Sequence, residues 1–141
     1  MHLLILNGPN LNLLGKREPE IYGSQTFLDY LAALLPQFED HQIDYYQSNH
    51  EGCLIDKLQE VGFSYDGIIF NPGGYTHTSV ALADTVSAIT SPVVEVHISN
   101  IYEREPFRHH SYIKPVAVHS IVGEGLNGYR KAIDYLIQSH S

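Results

Sequence analysis

Cysteine, long apolar runs and leader-like segments are scarce or missing in this sequence. The chain has one cysteine, Cys53. A single cysteine cannot form an internal disulfide and is typical of a reducing compartment, so we interpret Cys53 as a packing residue rather than a reactive thiol. No apolar run approaches the roughly 20 residues that a membrane span needs, and no basic segment with a small-residue cleavage site precedes the first apolar residues. The sequence therefore predicts a cytoplasmic, soluble protein that has no contact with a membrane.

Basic residues are also few. Lys and Arg total 8 against 16 Asp and Glu, and the formal net charge is −8. This balance lacks the electrostatic footprint of a nucleic-acid-binding protein, so nucleic acid is not an expected partner. An acidic protein that binds an anion must gather its few cations locally. Four of them lie in two short loop-like stretches: Lys16, Arg17, Arg104 and Arg108.

Short apolar runs alternate with segments of helical period along the 141 residues. This alternation is typical of βα units with a parallel sheet, and the length fits a single domain over 1–141. Strands are predicted at His2–Leu6, Ile43–Gln47, Gly67–Phe70, Val93–Ile98 and Val116–Val122. Helices are predicted at Thr26–Phe38 after a Ser24 cap, Leu54–Val61, Ser79–Ile89 and Gly125–Gln138.

Five strands joined by helical crossovers predict an α/β fold, namely a flavodoxin-like, doubly wound five-stranded parallel sheet with helices on both faces. Two connections are longer than this fold needs, Gly8–Gly23 and Ser99–Tyr112. Loops of this length in a compact domain are usually functional or disordered. They also contain the clustered cations, which makes them the first places to look for a binding site.

Polar residues follow the predicted strands with unusual regularity. In open α/β sheets ligands bind outside the carboxyl ends of the strands, where these side chains are expected to meet. Each residue alone is explained as well by a turn at a strand end, but four such sites together favour a ligand. Amides and backbone N–H groups suit a hydroxyl-rich or carboxylate ligand better than a metal. The residues are Asn7 to Asn10, Ser48 to Glu51, Asn71 to Gly74, and Ser99 with Asn100.

The fourth predicted strand places Glu95 and His97 on one face, with His97 at the carboxyl end. A carboxylate in that position fixes the tautomer of an imidazole and supports its protonated form, as a general acid requires. A structural His–Glu pair explains the pattern equally well. The next two residues, Ile98 and Ser99, present successive backbone N–H groups to which a substrate carboxylate can dock.

The long first loop contains Arg17 and Tyr22. A tyrosine has a pKa near ~10, and an adjacent guanidinium lowers that pKa toward neutral pH. Tyr22 is therefore a candidate general base. An exposed aromatic residue in a loop is the simpler reading of Tyr22 taken alone.

Three other motifs are rejected. Gly123, Gly125 and Gly128 spell G-x-G-x-x-G between a strand and a helix, but no acidic residue follows about 20 positions later as dinucleotide binding requires. The nine histidines contain no H-x-x-x-H spacing, and the sequence has no C-x-x-C motif, so we expect no metal. G-x-S-x-G is absent, which leaves serine-based hydrolysis unsupported. We therefore expect neither a dinucleotide cofactor nor a metal.

Five segments carry ordered motifs, of which the first, Asn7–Gly23, reads NGPNLNLLGKREPEIYG. The others are Gln47–Gly52, Asn71–Ser79, Val94–Asn100 and Arg104–Tyr112. In order and spacing they resemble the type II 3-dehydroquinate dehydratase family over nearly the whole chain. His119 departs from the pattern, since that family commonly has a small residue there.

The resemblance implies a cofactor-free hydro-lyase that converts 3-dehydroquinate to 3-dehydroshikimate through an enolate. Tyr22 is then the base, Arg17 the cation that activates it, and His97, held by Glu95, the acid that protonates the departing hydroxyl. Asn10 holds the enolate through a water. The implied substrate-binding residues are Asn71, His77, Asp84, Ile98, Ser99 and Arg108. The alternative is a non-catalytic flavodoxin-like module that binds a small ligand, which leaves the Arg17–Tyr22 and Glu95–His97 pairs unexplained.

Asp84 also bears on assembly. If His77 begins the helix after the third strand, His77 and Asp84 project from nearly one face, with Val80 and Ala81 between them. A solvated carboxylate on an ordinary helix is the simpler alternative. The resemblance implies a homododecamer built from trimers, in which Asp84 approaches a neighbouring subunit's substrate.

Overall fold

The computed structural model describes residues 1–16, 20 and 24–140. Five parallel strands form one sheet in the order β2-β1-β3-β4-β5. This order and direction confirm the predicted flavodoxin-like α/β sheet. The strands are β1 His2–Asn7, β2 Gln42–Gln47, β3 Gly67–Asn71, β4 Val93–His97 and β5 His119–Val122.

In the described ranges, four α-helices cover the two faces of the sheet. They are α1 Phe27–Leu34, α2 Glu51–Val61, α3 Val80–Ala88 and α4 Asn127–His140. Strand β1 explains the two layers, because its side chains alternate: Leu3 and Ile5 pack with α1 and α4, whereas Leu4 and Leu6 pack with α2 and α3. All four side chains are fully buried, and burial of each contributes about 1.5–3 kcal/mol.

The first predicted helix was wrong at both ends. Thr26, rather than Ser24, caps α1, since its Oγ1 accepts a hydrogen bond of 3.1 Å from the backbone N–H of Asp29. The α-helix ends at Leu34 and continues as a 3-10 turn, Leu35–Phe38. Pro36 has no N–H to continue the α-helical bonds, which explains the change.

The fifth predicted strand was wrong over its first three residues. Lys114–Val116 form a 3-10 turn, and β5 begins only at His119. The N–H groups of Val116 and Ala117 donate to the carbonyl of Ile113 at 3.0 and 2.9 Å. Their apolar side chains are half-buried against the α2 and α3 layer, so an apolar run that looks like a strand is a half-buried turn.

The remaining boundaries differ by one to three residues. Helix α2 begins three residues earlier than predicted, at Glu51, and α4 is displaced to Asn127–His140. Ser79 is the cap of α3 rather than its first residue, since its Oγ accepts from Leu82 N at 2.9 Å. Within the described ranges, no helix has the length and apolar character required to cross a membrane.

Candidate active site

A cleft of about 230 Å³ opens at the carboxyl edge of the sheet. It lies between the loop after β1, the turn after β3 and the segment after β4, where the fold places ligands. The structure brings seven of the predicted site residues to its walls: Asn10, Asn71, His77, His97, Ile98, Ser99 and Arg108. Arg17 and Tyr22 lie outside the described residues.

Glu95 is a fully buried carboxylate on β4, directly behind the cleft. Its Oε2 accepts hydrogen bonds from His97 Nε2 at 2.8 Å and from the hydroxyls of Thr76 and Ser111, each at 2.6 Å. Its Oε1 accepts from Ser120 Oγ at 2.8 Å. The predicted contact between Glu95 and His97 is confirmed, and the carboxylate has donors on both oxygens, as a buried charge requires.

These contacts determine the charge of Glu95. Burial acts to raise its pKa, but the hydrogen bond and charge of His97, followed by the hydroxyls of Ser111 and Thr76, outweigh burial and lower the pKa to about 2. The carboxylate therefore remains ionised at neutral pH and is a strong acceptor for the imidazole.

This low pKa predicts a pH-dependent stability. Because the pKa of Glu95 is lower in the folded protein than its ordinary value of 4.5, the stabilisation is present above that value and is lost as pH falls toward 2. It amounts to about 3 kcal/mol. Urea unfolding at pH 7, 4.5 and 3 should show a steeper loss of stability for the wild type than for Glu95→Gln. Parallel curves for the two proteins would contradict the assignment.

His97 presents its other nitrogen to the cleft side. Nε2 contacts Glu95, so Nδ1 is the ring nitrogen left for a ligand. The ring of His77 lies nearly parallel to it, with centroids 6.4 Å apart, and His77 Nδ1 hydrogen-bonds with the carbonyl of His110 at 2.9 Å. Burial lowers the pKa of His77, against the opposing effect of that carbonyl. The neighbour of His97 is therefore favoured in its neutral form.

Asn71 is held from two sides at the end of β3. Its Nδ2 donates to the Tyr129 hydroxyl at 2.9 Å, and its Oδ1 accepts from the backbone N–H of Gly73 at 3.1 Å. The Tyr129 hydroxyl in turn donates to Asn7 Oδ1 at 2.8 Å. The amide that faces the cleft thus has a defined orientation.

The loops after β1 and β4 contribute a left-handed backbone residue and two cations to the cleft. Asn10 has a φ of 70°, the left-handed conformation that asparagine tolerates better than most residues, and its N–H donates to Asn49 Oδ1 at 3.0 Å. Arg108 Nε donates to Glu105 Oε2 at 3.1 Å. Arg104 also lines the cleft, so two guanidinium groups from one predicted cation stretch lie at this wall, as an anionic ligand requires.

The expected helical relation between His77 and Asp84 was wrong. His77 ends a 3-10 turn, Gly73–His77, and α3 begins only at Val80 because Ser79 caps it. The two side chains therefore do not share a helix face. Asp84 is exposed on α3 and lies outside the lining of its own chain's cleft.

Four residues were missed from sequence: Thr76, Ser111, Ser120 and Tyr129. Ser120 was within reach of the strand argument, because β5 pairs with β4 in a register that sets Ser120 beside Glu95. The others gave no signal, since hydroxyl residues in turns and a tyrosine on a helix are ordinary. In the described part of the chain, no group of three or more His, Cys, Asp or Glu side chains is arranged to hold a metal ion.

The fold and the cleft define an α/β enzyme in which an imidazole is held by a buried carboxylate at the edge of the sheet. The family model described as Dehydroquinase class II matches residues 1–137. The chain belongs to this family.

Among known proteins, a 3-dehydroquinate dehydratase of Bacillus pumilus (strain SAFR-032) is 56% identical over 139 residues, which cover 96% of this chain and 94% of the relative. The 3-dehydroquinate dehydratase of Bacillus subtilis (strain 168) is 53% identical, with 96% and 93% covered.

Solved structures agree with the family. The type II dehydroquinase from Butyrivibrio crossotus DSM 2876 has a TM-score of 0.91 and 48% identity, with 97% of each chain covered. The type II dehydroquinase from Propionibacterium acnes has a TM-score of 0.93 and 36% identity, with 97% of this chain and 96% of that chain covered.

Proposed function

We propose that this chain is a 3-dehydroquinate dehydratase, a hydro-lyase that converts 3-dehydroquinate to 3-dehydroshikimate and water by trans-elimination, in the shikimate pathway. The observation that carries the proposal is the pairing of His97 with the buried Glu95 carboxylate at 2.8 Å, at the wall of the cleft. A leaving hydroxyl must receive a proton, and an imidazole supported by a buried carboxylate is suited to donate it. The curated relatives above carry this activity in their names.

The elimination begins at the carbon beside the substrate ketone. Tyr22, with its pKa lowered by Arg17, takes a proton from that carbon, and the electron pair moves onto the carbonyl oxygen to give an enolate. Negative charge on that oxygen is the main barrier, so donors placed there lower it most. Asn10, at the mouth of the cleft, supplies the donor through a water.

The second half of the reaction expels the hydroxyl group. The enolate collapses to the ketone, a carbon–carbon double bond forms, and the carbon–oxygen bond breaks as His97 donates its proton. The products are water and a conjugated enone. Glu95 supports the protonated imidazole before this step, and its hydroxyl contacts hold the carboxylate in place.

The other residues of the cleft bind substrate. The substrate is a carboxylate with several hydroxyl groups, which suits the amides and the arginine of this cleft. The N–H groups of Ile98 and Ser99 receive the carboxylate, and Asn71, His77 and Arg108 bind the hydroxyl groups. All five residues lie on the cleft wall.

An ultraviolet assay tests the function. Formation of the conjugated enone creates an absorbance that 3-dehydroquinate lacks, so purified protein should produce a rising signal with saturation kinetics. The Glu95→Gln variant is a suitable comparison, because it keeps the shape of the side chain but removes the charge that supports His97. Substrate binding without any rise in absorbance would favour a binding module.

Neither a metal nor an imine is expected to take part. None of the four lysines of the chain, Lys16, Lys57, Lys114 and Lys131, lines the cleft that the described residues form, and an imine needs such an amine at the carbonyl. Activity should be unchanged after treatment with chelator, and borohydride with substrate should add no mass to the protein. A mass increase equal to reduced substrate on a lysine would overturn the enolate route.

We also propose a cytoplasmic homododecamer built from trimers, in which Asp84 reaches a neighbouring subunit's substrate. Val80 is 53% exposed at the start of α3 and Ala81 is exposed beside it, so this helix offers an apolar surface next to the carboxylate. Light scattering should give about twelve times the 15.9 kDa chain mass. Asp84→Ala should weaken substrate binding, measured as a rise in KM, by a larger free energy than it removes from the free energy of unfolding. Asp56→Ala on α2 should change neither quantity. A fully active monomer would refute the assembly.

A further inference from the structure

The Tyr129 hydroxyl lies between two side-chain amides in the interior of the protein. Tyr129, on α4, is fully buried, as is Asn7 at the end of β1. Asn7 and Asn71 are paired in register at the carboxyl ends of the neighbouring strands β1 and β3. The phenol oxygen is 2.8 Å from Asn7 Oδ1 and 2.9 Å from Asn71 Nδ2. One hydroxyl group therefore bridges two strands next to the cleft.

The direction of these hydrogen bonds is determined by proton counting. A phenol has one proton, and Tyr129 gives it to Asn7 Oδ1. Asn71 must then present its NH₂ group, not its carbonyl, to the phenol oxygen. Its Oδ1 is left to accept from the N–H of Gly73. A flipped Asn71 amide would face the phenol with a second acceptor and Gly73 with a second donor.

The orientation of the Asn71 amide affects the cleft in two ways. Asn71 lines the cleft, so the flip decides which of its atoms a ligand meets. Its bond to Gly73 also anchors the 3-10 turn Gly73–His77, which carries Thr76 to Glu95 and His77 to the cleft wall. Gly73 has a φ of 61°, a conformation in which glycine is favoured.

We propose that Tyr129 is a positioning residue of the dehydratase site, which sets the amide orientation of Asn71 and through it the turn at Gly73. The proposal rests on the function proposed above. Tyr129 itself does not touch the cleft formed by the described residues, so its effect on substrate passes through Asn71.

The test is a double-mutant cycle on KM with 3-dehydroquinate. Tyr129→Phe keeps the ring and removes the hydroxyl, so we expect KM to rise about tenfold and kcat to fall by less than about threefold. If Tyr129 acts through Asn71, the same change made in an Asn71→Ala background should have no further effect on KM. Tyr30→Phe is the control, since Tyr30 packs in the same aromatic cluster with its ring 6.2 Å from that of Tyr129, and its KM should match the wild type.

A second variant guards against a folding defect. Asn7→Leu leaves Tyr129 in place but removes the acceptor of its hydroxyl proton, so the hydroxyl can donate to Asn71 instead. This variant should therefore also raise KM, although Asn7 lies outside the cleft lining. Lower unfolding stability with unchanged KM in both variants, or effects of Tyr129→Phe and Asn71→Ala that multiply independently, would overturn the proposal. A wild-type protein with no activity on 3-dehydroquinate would overturn the proposed function as well, which separates the two failures.

Discussion

Tyr22→Phe is expected to lower kcat by about 10²–10⁴-fold without loss of the fold, because it deletes only the oxygen that we propose accepts the substrate proton. The ultraviolet assay gives kcat, and urea unfolding tests the fold. Tyr46→Phe is a matched control, since Tyr46 lies on β2 and outside the lining of the described cleft. Turnover of Tyr22→Phe within a few fold of the wild type would remove Tyr22 from the mechanism.

Arg17→Ala tests the proposed base, Tyr22, separately from the cation proposed to activate it. At neutral pH it should be nearly as damaging as Tyr22→Phe, because tyrosine returns toward its ordinary pKa of about 10. Its activity should recover as pH is raised and the phenol ionises, whereas Tyr22→Phe should stay inactive at every pH. An Arg17→Ala profile with no recovery at alkaline pH would show that Arg17 has another role.

His97→Asn is expected to lower kcat to a similar extent, about 10²–10⁴-fold, because the departing hydroxyl then has no proton donor. KM should change much less, since other residues of the cleft bind the substrate. His119→Asn is the control: His119 also lies on a strand, but its ring stacks on Tyr135, with 4.4 Å between ring centroids, away from the cleft. If the two variants had equal activity, proton donation by His97 would be excluded.

Most of the fold was predictable because its signals are local. The alternation of short apolar runs with segments of helical period, and the polar residues after four of the strands, indicate a parallel sheet with a functional carboxyl edge, and the structure has that sheet. The error at Val116–Val118 arose from an ambiguous local signal. An apolar run of that length is compatible with a strand or with a half-buried turn, and Pro115 with the carbonyl of Ile113 decides for the turn.

The site was predictable only where the interacting residues are a few positions apart in the sequence. Glu95 and His97 are two positions apart on one strand, so a period of two places them together. Thr76, Ser111 and Ser120 reach Glu95 across 19, 16 and 25 positions, and no local pattern specifies such contacts. The 122 positions between Asn7 and Tyr129 make the phenol bridge a property of the completed fold.

The order in which the site residues occur along the chain has a consequence for synthesis. The described residues that line the cleft run from Pro9 to Arg108, yet Ser120 on β5 and Tyr129 on α4 come later and complete the contacts of Glu95 and Asn71. A nascent chain that has left the ribosome only as far as residue 118 therefore contains the cleft lining but leaves β4 as an open sheet edge. Because domains fold as units, we expect the proposed acid–base centre to form only late in translation and a truncated product to lack a working site.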